Sequence, residues 1–194
     1  MKEEVILSAL RETGAMLEGH FLLSSGLHSD RYFQCARLLA RTDYAALCGR
    51  AIAEKLTDKP DLVISPAMGG IVIGHEVART LGIPFLFTER EEGKMKLRRF
   101  DWPRGARVAI VEDVVTSGGS LIETAELVRH HGCEVMATAA IVDRSGDRSP
   151  DFGAPFLSLL QAEVKTWDEA QCPLCAAGSE AVKPGSRDLL ERKG

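Results

Sequence analysis

The chain has 194 residues, of which 45% are hydrophobic and 27% charged, and a formal net charge of −4. That length suits one globular domain with a sizeable core and room for a small appendage, and the mild negative charge gives no support for nucleic acid as a partner. No run approaches the roughly 18 apolar residues that a membrane span needs. The start, Met1-Lys2-Glu3-Glu4, is charged and lacks a signal-peptide core, so a cytoplasmic protein with no membrane partner is expected. Cys35, Cys48, Cys133, Cys172 and Cys175 are odd in number and scattered, as reduced thiols are and a disulfide framework is not.

Val5, Ile6, Ala9 and Leu10 recur at helical spacing and predict a helix over residues 3–12. Residues 19–34 read as extended and turn-rich. Thr42 is the expected N-cap of a helix running to about Leu56, with Asp43 favourable in its first turn. An α/β rhythm follows: a strand over 62–64, a helix over 69–81, a strand over 84–87, a strand over 107–111, a helix over 120–131 with Gly132 at its C′ position, a strand over 135–142 and a fifth over 156–160. Short apolar strands alternating with amphipathic helices predict a parallel sheet covered on both faces, with ligands at the carboxyl ends of its strands. Residues 172–194 are polar and poorly patterned.

The most informative stretch is Val108-Ala109-Ile110-Val111-Glu112-Asp113-Val114-Val115-Thr116-Ser117-Gly118-Gly119-Ser120. A buried strand leads into two adjacent carboxylates, a hydroxyl- and glycine-rich turn, and a helix. Backbone N–H groups and hydroxyls from Thr116 to Ser120 can ring a phosphate at the helix N-terminus. Glu112 and Asp113 then lie one ribose length away, as acceptors for its hydroxyls. A strand-end acidic pair before an ordinary turn is the plainer alternative. The stretch resembles the phosphoribosyl-diphosphate (PRPP) motif of the type I phosphoribosyltransferases. The resemblance implies PRPP binding by Glu112, Asp113, Val114, Val115, Thr116, Ser117, Gly118, Gly119 and Ser120.

Two further segments extend the likeness. Ser65-Pro66-Ala67-Met68-Gly69-Gly70 is similar to the family's pyrophosphate loop. It implies PRPP contacts at Met68 and Gly69 and a cis peptide near Ala67–Met68. The plainer reading is a strand–helix turn with glycines for packing. Residues 88–100 hold five basic residues where the family has a mobile loop that closes over the active site, often that of the neighbouring subunit. Arg90, Lys94 and Lys96 fall on its basic PRPP contacts, Lys94 and Asp113 take the catalytic roles, and Arg98 and Arg99 remain unassigned. A solvated charged loop is the alternative.

The base is implied by residues 19–34, which resemble the N-terminal segment of the orotate-using members of the family. Ser24, Tyr32, Phe33, Thr116 and Arg144 then become the orotate contacts, with the Arg144 fork on the carboxylate. A surface Arg144 paired with Asp143 or Asp147 is the alternative. The chain departs from many orotate-using members at Ser24, where they have Lys, and at Met68-Gly69, where they have Tyr-Lys.

The resemblance covers nearly all of residues 1–165. It implies an α/β type I phosphoribosyltransferase fold, a central parallel β-sheet flanked by helices. A small hood is expected from about residues 1–40 plus part of the C-terminal region, over a core of about 41–165. It further implies transfer of phosphoribosyl from PRPP to orotate in pyrimidine biosynthesis, Mg2+ as cofactor bound mainly through PRPP with no protein metal site, and a homodimer with shared active sites. Another nucleobase, or a non-catalytic PRPP-binding regulator, are the alternatives. Cys172-Pro173-Leu174-Cys175 has zinc-knuckle spacing, but one such pair supplies two ligands where a structural zinc needs about four. The five histidines are not spaced as its partners, so paired free thiols are expected, with a metal shared between two subunits as the alternative. His130-His131 favours a helix C-terminus and takes no catalytic role.

Overall fold

The computed structural model describes residues 3–23, 25–146 and 150–183. Six strands form the main sheet: β3 (Leu62–Pro66), β4 (Phe85–Glu91), β5 (Lys94–Lys96), β6 (Arg107–Val115), β7 (Glu134–Asp143) and β8 (Phe156–Gln161), in the order β5-β4-β3-β6-β7-β8. All neighbours pair in parallel except the edge strand β5, which is antiparallel to β4. Helices α1 (Glu3–Glu12), α2 (Cys35–Leu39), α3 (Thr42–Lys55) and α4 (Gly70–Leu81) serve one core, and α5 (Gly119–His130) serves the other.

Strand alternation divides the two cores. On β3, Val63 packs with Ile6, Leu10, Ile52 and Ile73, while Leu62 and Ile64 point the other way onto Leu121, Ala125 and Val128. On β6, Ala109 and Val111 join the first group and Val108 and Ile110 the second. A strand buried on both faces needs this near-continuous apolar run. Glycine punctuates the helices: Gly82 ends α4 at φ 64°, Gly118 opens α5 at φ 73°, and Gly132 follows α5 at φ 74°.

A second sheet, β1 (Met16–Leu22), β2 (His28–Phe33) and β9 (Thr166–Trp167), is antiparallel throughout. Val182 bridges Phe21 along its outer edge. A 3-10 turn, Glu169–Gln171, and a short helix α6 (Pro173–Ala176) lie between β9 and that bridge. Among the described residues no helix is long and apolar enough to cross a membrane.

Three expectations change. Arg41, not Thr42, holds the N-cap position of α3, without a side-chain cap, and its guanidinium binds Asp43 at 2.8 and 3.1 Å. β6 runs four residues past Val111 because β7 continues beside it, pairing Val114 with Val142 and Val115 with Asp143. The expected mobile loop over 88–100 begins instead as a β4–β5 hairpin. Glu92 and Gly93 turn it with φ of 50° and 80°, as a two-residue hairpin turn requires.

Candidate active site

The chemistry gathers at the carboxyl ends of β3, β6 and β7. Between β6 and α5, Thr116, Ser117 and Gly118 curve around a cavity of about 290 Å3 whose lining continues through Gly119 and Ser120 into α5. The first backbone N–H groups of a helix have no partner within it and carry the positive end of its dipole, so this wall suits a phosphate. A β-carbon at Gly118 would stand 2.5 Å from Pro150 Cγ and 2.9 Å from Phe152 Cε1. Both the left-handed turn and the packing beneath it therefore demand glycine. Val114 and Val115 also border the cavity, and the Val115 side chain turns back into the core.

Glu112 borders the same cavity and is 9% exposed. Burial, reinforced by the neighbouring Asp113 carboxylate, pushes its pKa up to about 9. Burial also raises Asp113, against the opposing hydrogen bonds from Glu112 and the Val114 N–H, the latter at 2.9 Å. The Asp113 N–H donates to Glu112 Oε1 at 3.1 Å. The pair thus favours a retained proton until hydroxyl donors or positive charge arrive.

The loop after β3 packs against this pair. Its Ala67–Met68 peptide is cis, and the Ala67 N–H donates to Thr88 O at 2.7 Å. Met68 stands 83% exposed. A β-carbon at Gly70 would meet Val111 O at 2.9 Å and Glu112 Oε1 at 3.1 Å, and Gly69 lies directly against the Asp113 carboxylate.

A larger cavity of about 640 Å3 adjoins the first and shares Thr116 and Ser117 with it. Tyr32 and Arg144 line it, together with Leu23, Ser25 and Leu27 from the β1–β2 turn and Val164 and Thr166 at β9. Ser24 lies outside the described residues. Arg144 is not a surface residue paired with Asp143: the Asp143 Oδ1 accepts instead from the Ser145 N–H at 2.8 Å and the Ser145 hydroxyl at 2.6 Å. Asp147 lies outside the described residues. The Arg144 N–H donates to Val115 O at 2.8 Å. Burial lowers the pKa of its guanidinium, whose buried Nε has no hydrogen-bond partner among the described residues. A buried, unsatisfied cationic donor beside a cavity is costly unless a ligand anion meets it.

Phe33 takes a different place from Tyr32. Successive strand residues face opposite ways, so Tyr32 lines the cavity while Phe33 is buried in the core, with its ring 5.6 Å from the Arg144 guanidinium carbon. Phe33 backs the arginine rather than covering a base.

Within this chain the basic hairpin is largely neutralised. Arg90 borders the phosphate cavity but pairs with Glu123 at 2.8 and 3.0 Å. Lys96 pairs with Glu91 at 2.6 Å, Arg98 with Glu91 at 2.9 Å and Arg99 with Glu89 at 2.7 Å. Lys94 faces a separate concavity with Glu123, Glu126 and His130, because the hairpin lies along α5. Lys94 and Lys96 do not border the phosphate cavity of their own chain.

Sequence reasoning missed the Asp143–Ser145 turn, whose only signal is an acid two residues before a hydroxyl, and the contributions of Val164 and Thr166, which carry none. Cys35 and Cys48 are buried thiols, and burial pushes Cys48 up to about 12. His20 and His28, far from the Cys172–Cys175 pair in sequence, meet it in space.

The chain is similar to known proteins in sequence and fold. The phosphoribosyl transferase domain family matches residues 36–171. The orotate phosphoribosyltransferase of Caldanaerobacter subterraneus is 49% identical over 191 residues, covering 97% of this chain and all of that relative. That of Thermotoga maritima is 50% identical over 188 residues, covering 95% of this chain and all of the relative. The crystal structure of orotate phosphoribosyltransferase from Aeropyrum pernix superposes with a TM-score of 0.71 at 27% identity, covering 83% of this chain and 93% of that one.

Proposed function

The chain belongs to the orotate phosphoribosyltransferase family of the type I phosphoribosyltransferases, and from that premise we infer that it transfers the phosphoribosyl group of PRPP to orotate, giving orotidine 5′-monophosphate and pyrophosphate in pyrimidine biosynthesis. The observation that carries the reading is the pair of cavities joined at Thr116 and Ser117, one walled by a helix N-terminus and the other by the half-buried Arg144, whose buried Nε has no partner among the described residues.

The 5′-phosphate sits on Thr116–Ser120, and Glu112 and Asp113 accept the ribose hydroxyls. Gly69 and Met68 leave the pyrophosphate close access to backbone. Orotate enters the larger cavity, its carboxylate on Arg144 and its ring beside Tyr32. Orotate is already an anion, so its ring nitrogen needs little help from a base. The barrier lies in breaking the bond from C1 to pyrophosphate while positive charge grows on the ribose. The adjacent carboxylates favour that charge, and Asp113 is placed to move a proton in the reverse direction.

Mg2+ fits this site. The buried Glu112 and half-buried Asp113 carboxylates, without a basic partner among the described residues and beside a phosphate cradle, offer the hard oxygen donors it takes. Held mainly through PRPP, with Glu112 and Asp113 at hand, it would supply charge neutralisation to the leaving pyrophosphate. The β1-β2-β9 sheet serves as the hood. Lys94 and Lys96 do not line the phosphate cavity of their own chain, which supports a homodimer in which each hairpin serves the partner's site. Reduced thiols and these phosphorylated substrates fit a cytoplasmic setting.

The test is loss of orotate absorbance on mixing the protein with PRPP, Mg2+ and orotate. Loss that requires both PRPP and Mg2+ is expected. Pyrophosphate release with adenine or uracil but not with orotate would move the reading to another base.

A further inference from the structure

On the β1-β2-β9 sheet, outside the lining of the two site cavities, four side chains from three segments converge. His20 lies on β1 and His28 on the adjacent β2, with ring centroids 4.8 Å apart. Cys172 caps α6 and Cys175 lies one turn on, so both thiols face the same side. His20 Nε2 is 2.7 Å from His28 Nδ1, 3.5 Å from Cys172 Sγ and 3.7 Å from Cys175 Sγ, and Cys175 Sγ is 3.3 Å from His28 Nδ1. All four donor atoms lie within 4.8 Å of one another, three of the residues are buried, and Cys175 is half-buried.

We propose that His20, His28, Cys172 and Cys175 bind one zinc ion that fastens the C-terminal segment to the hood.

Two imidazoles and two thiols are the donor set of structural zinc. A tetrahedron with ordinary zinc–nitrogen and zinc–sulfur bonds puts its ligand atoms about 3.3–3.8 Å apart. The sulfur–nitrogen distances fall in that range, and the two nitrogens need to part by about half an ångström. The outer contacts agree. His20 Nδ1 lies 3.0 Å from the Ser179 carbonyl oxygen. That oxygen can only accept, so Nδ1 carries the proton and Nε2 presents its lone pair to the cluster, as a metal-bound histidine is usually oriented. As zinc binds, each thiol gives its proton to water and bonds through the thiolate, so a dication meets two anions and the buried centre is neutral. Four protein ligands leave no open position, which makes the centre structural.

The segment also needs such a fastening. From Asp168 to Lys183, Cys172 is the one buried residue, so almost no apolar area holds this stretch. Its backbone does pair with β1, through the Leu22 N–H to Val182 O at 3.0 Å and the Val182 N–H to His20 O at 2.8 Å. A short segment without a core of its own is the setting in which metal binding supplies folding free energy. The turn joining β1 to β2 carries Leu23, Ser25 and Leu27 into the wall of the larger cavity, so, on the proposed function, the metal would set the hood above the base.

The test uses the full, untagged chain purified under reducing conditions without chelator. Elemental analysis should find about one zinc per chain, released when a mercurial blocks the thiols and read by a coloured zinc indicator. The Cys172→Ser/Cys175→Ser variant should carry none, and the exposed His75→Ala variant should keep its zinc. Cobalt(II) in place of zinc should show the visible bands of a tetrahedral thiolate site. Wild-type protein that holds no zinc, and takes up none on titration with its thiols verified as reduced, would overturn the proposal even if the double variant fails to fold. A Cys172–Cys175 disulfide in the freshly purified chain would overturn it too. Neither result depends on orotate turnover, so the two readings fail separately.

Discussion

A β-carbon at position 69 would stand 2.5 Å from Oδ1 of Asp113 and 2.9 Å from its Cγ. The loop after β3 and the acidic end of β6 are thus fitted to each other, and the carboxylate of Asp113 rests in space that only a glycine leaves. Gly69→Ala should displace that carboxylate. Misplacement by about 1 Å near the reacting centre costs on the order of a hundredfold, so kcat/KM for PRPP should fall by tens to a hundredfold, with the circular dichroism spectrum unchanged. A variant as active as the parent would detach Asp113 from the ribose.

Arg144 offers a planar fork that lysine cannot copy. Hydrogen bonds to charged groups contribute about 1.5–3 kcal/mol, so Arg144→Lys should raise the KM for orotate roughly tenfold or more and leave the KM for PRPP nearly unchanged. Ser145→Ala removes the 2.6 Å bond to Asp143 and should show the same selectivity in milder form. Steady-state kinetics with each substrate varied in turn decides the matter. Equal loss for both substrates would place Arg144 elsewhere than on orotate.

The acidic pair makes the ligand-free protein sensitive to alkali. Glu112 moves from an ordinary value of 4.5 to about 9 on folding. The folded chain therefore holds a proton that the unfolded chain has released. The stability this group contributes is complete below about pH 4.5 and is lost as pH rises through about 9. Glu112→Gln should raise the Tm of the free protein relative to the parent, by more at pH 8 than at pH 5, while weakening PRPP binding. Calorimetry in buffers of different ionisation enthalpy should detect proton release when PRPP binds with Mg2+. A Tm difference that ignores pH would end this account.

Much of this site is contiguous in sequence, which is why it could be read there. Strand, carboxylates, turn and helix N-terminus follow one another from Val108 to Ser120, and each has its own local signature. Arg144 follows directly from the end of β7. What escaped reading depends on distant partners. The extension of β6 needs β7 beside it, the separation of Tyr32 from Phe33 needs the face of a strand whose pairing was unknown, and the hairpin turn at Glu92-Gly93 lacks the usual Asn or Asp before glycine. The meeting of His20 and His28 with Cys172 and Cys175 depends on how the chain's end returns to β1, which no local pattern encodes.

Lys94 tests the shared site. Lys94→Ala and Asp113→Asn should each be nearly inactive as pure proteins. Mixed and allowed to exchange subunits, they should recover up to roughly a quarter of the parental activity, the share of sites that random pairing leaves intact. No recovery, with exchange verified by mass spectrometry, would return the hairpin to its own chain's chemistry.

Thr116 and Ser117 wall both cavities, so on the proposed placement the nucleotide product, carrying a phosphate at one end and a pyrimidine at the other, would reach into both at once. It would then compete with PRPP and with orotate alike. Accumulating product would slow its own formation by occupancy alone, and the flux through this step would answer to the demand of whatever enzyme next removes the carboxylate-bearing nucleotide.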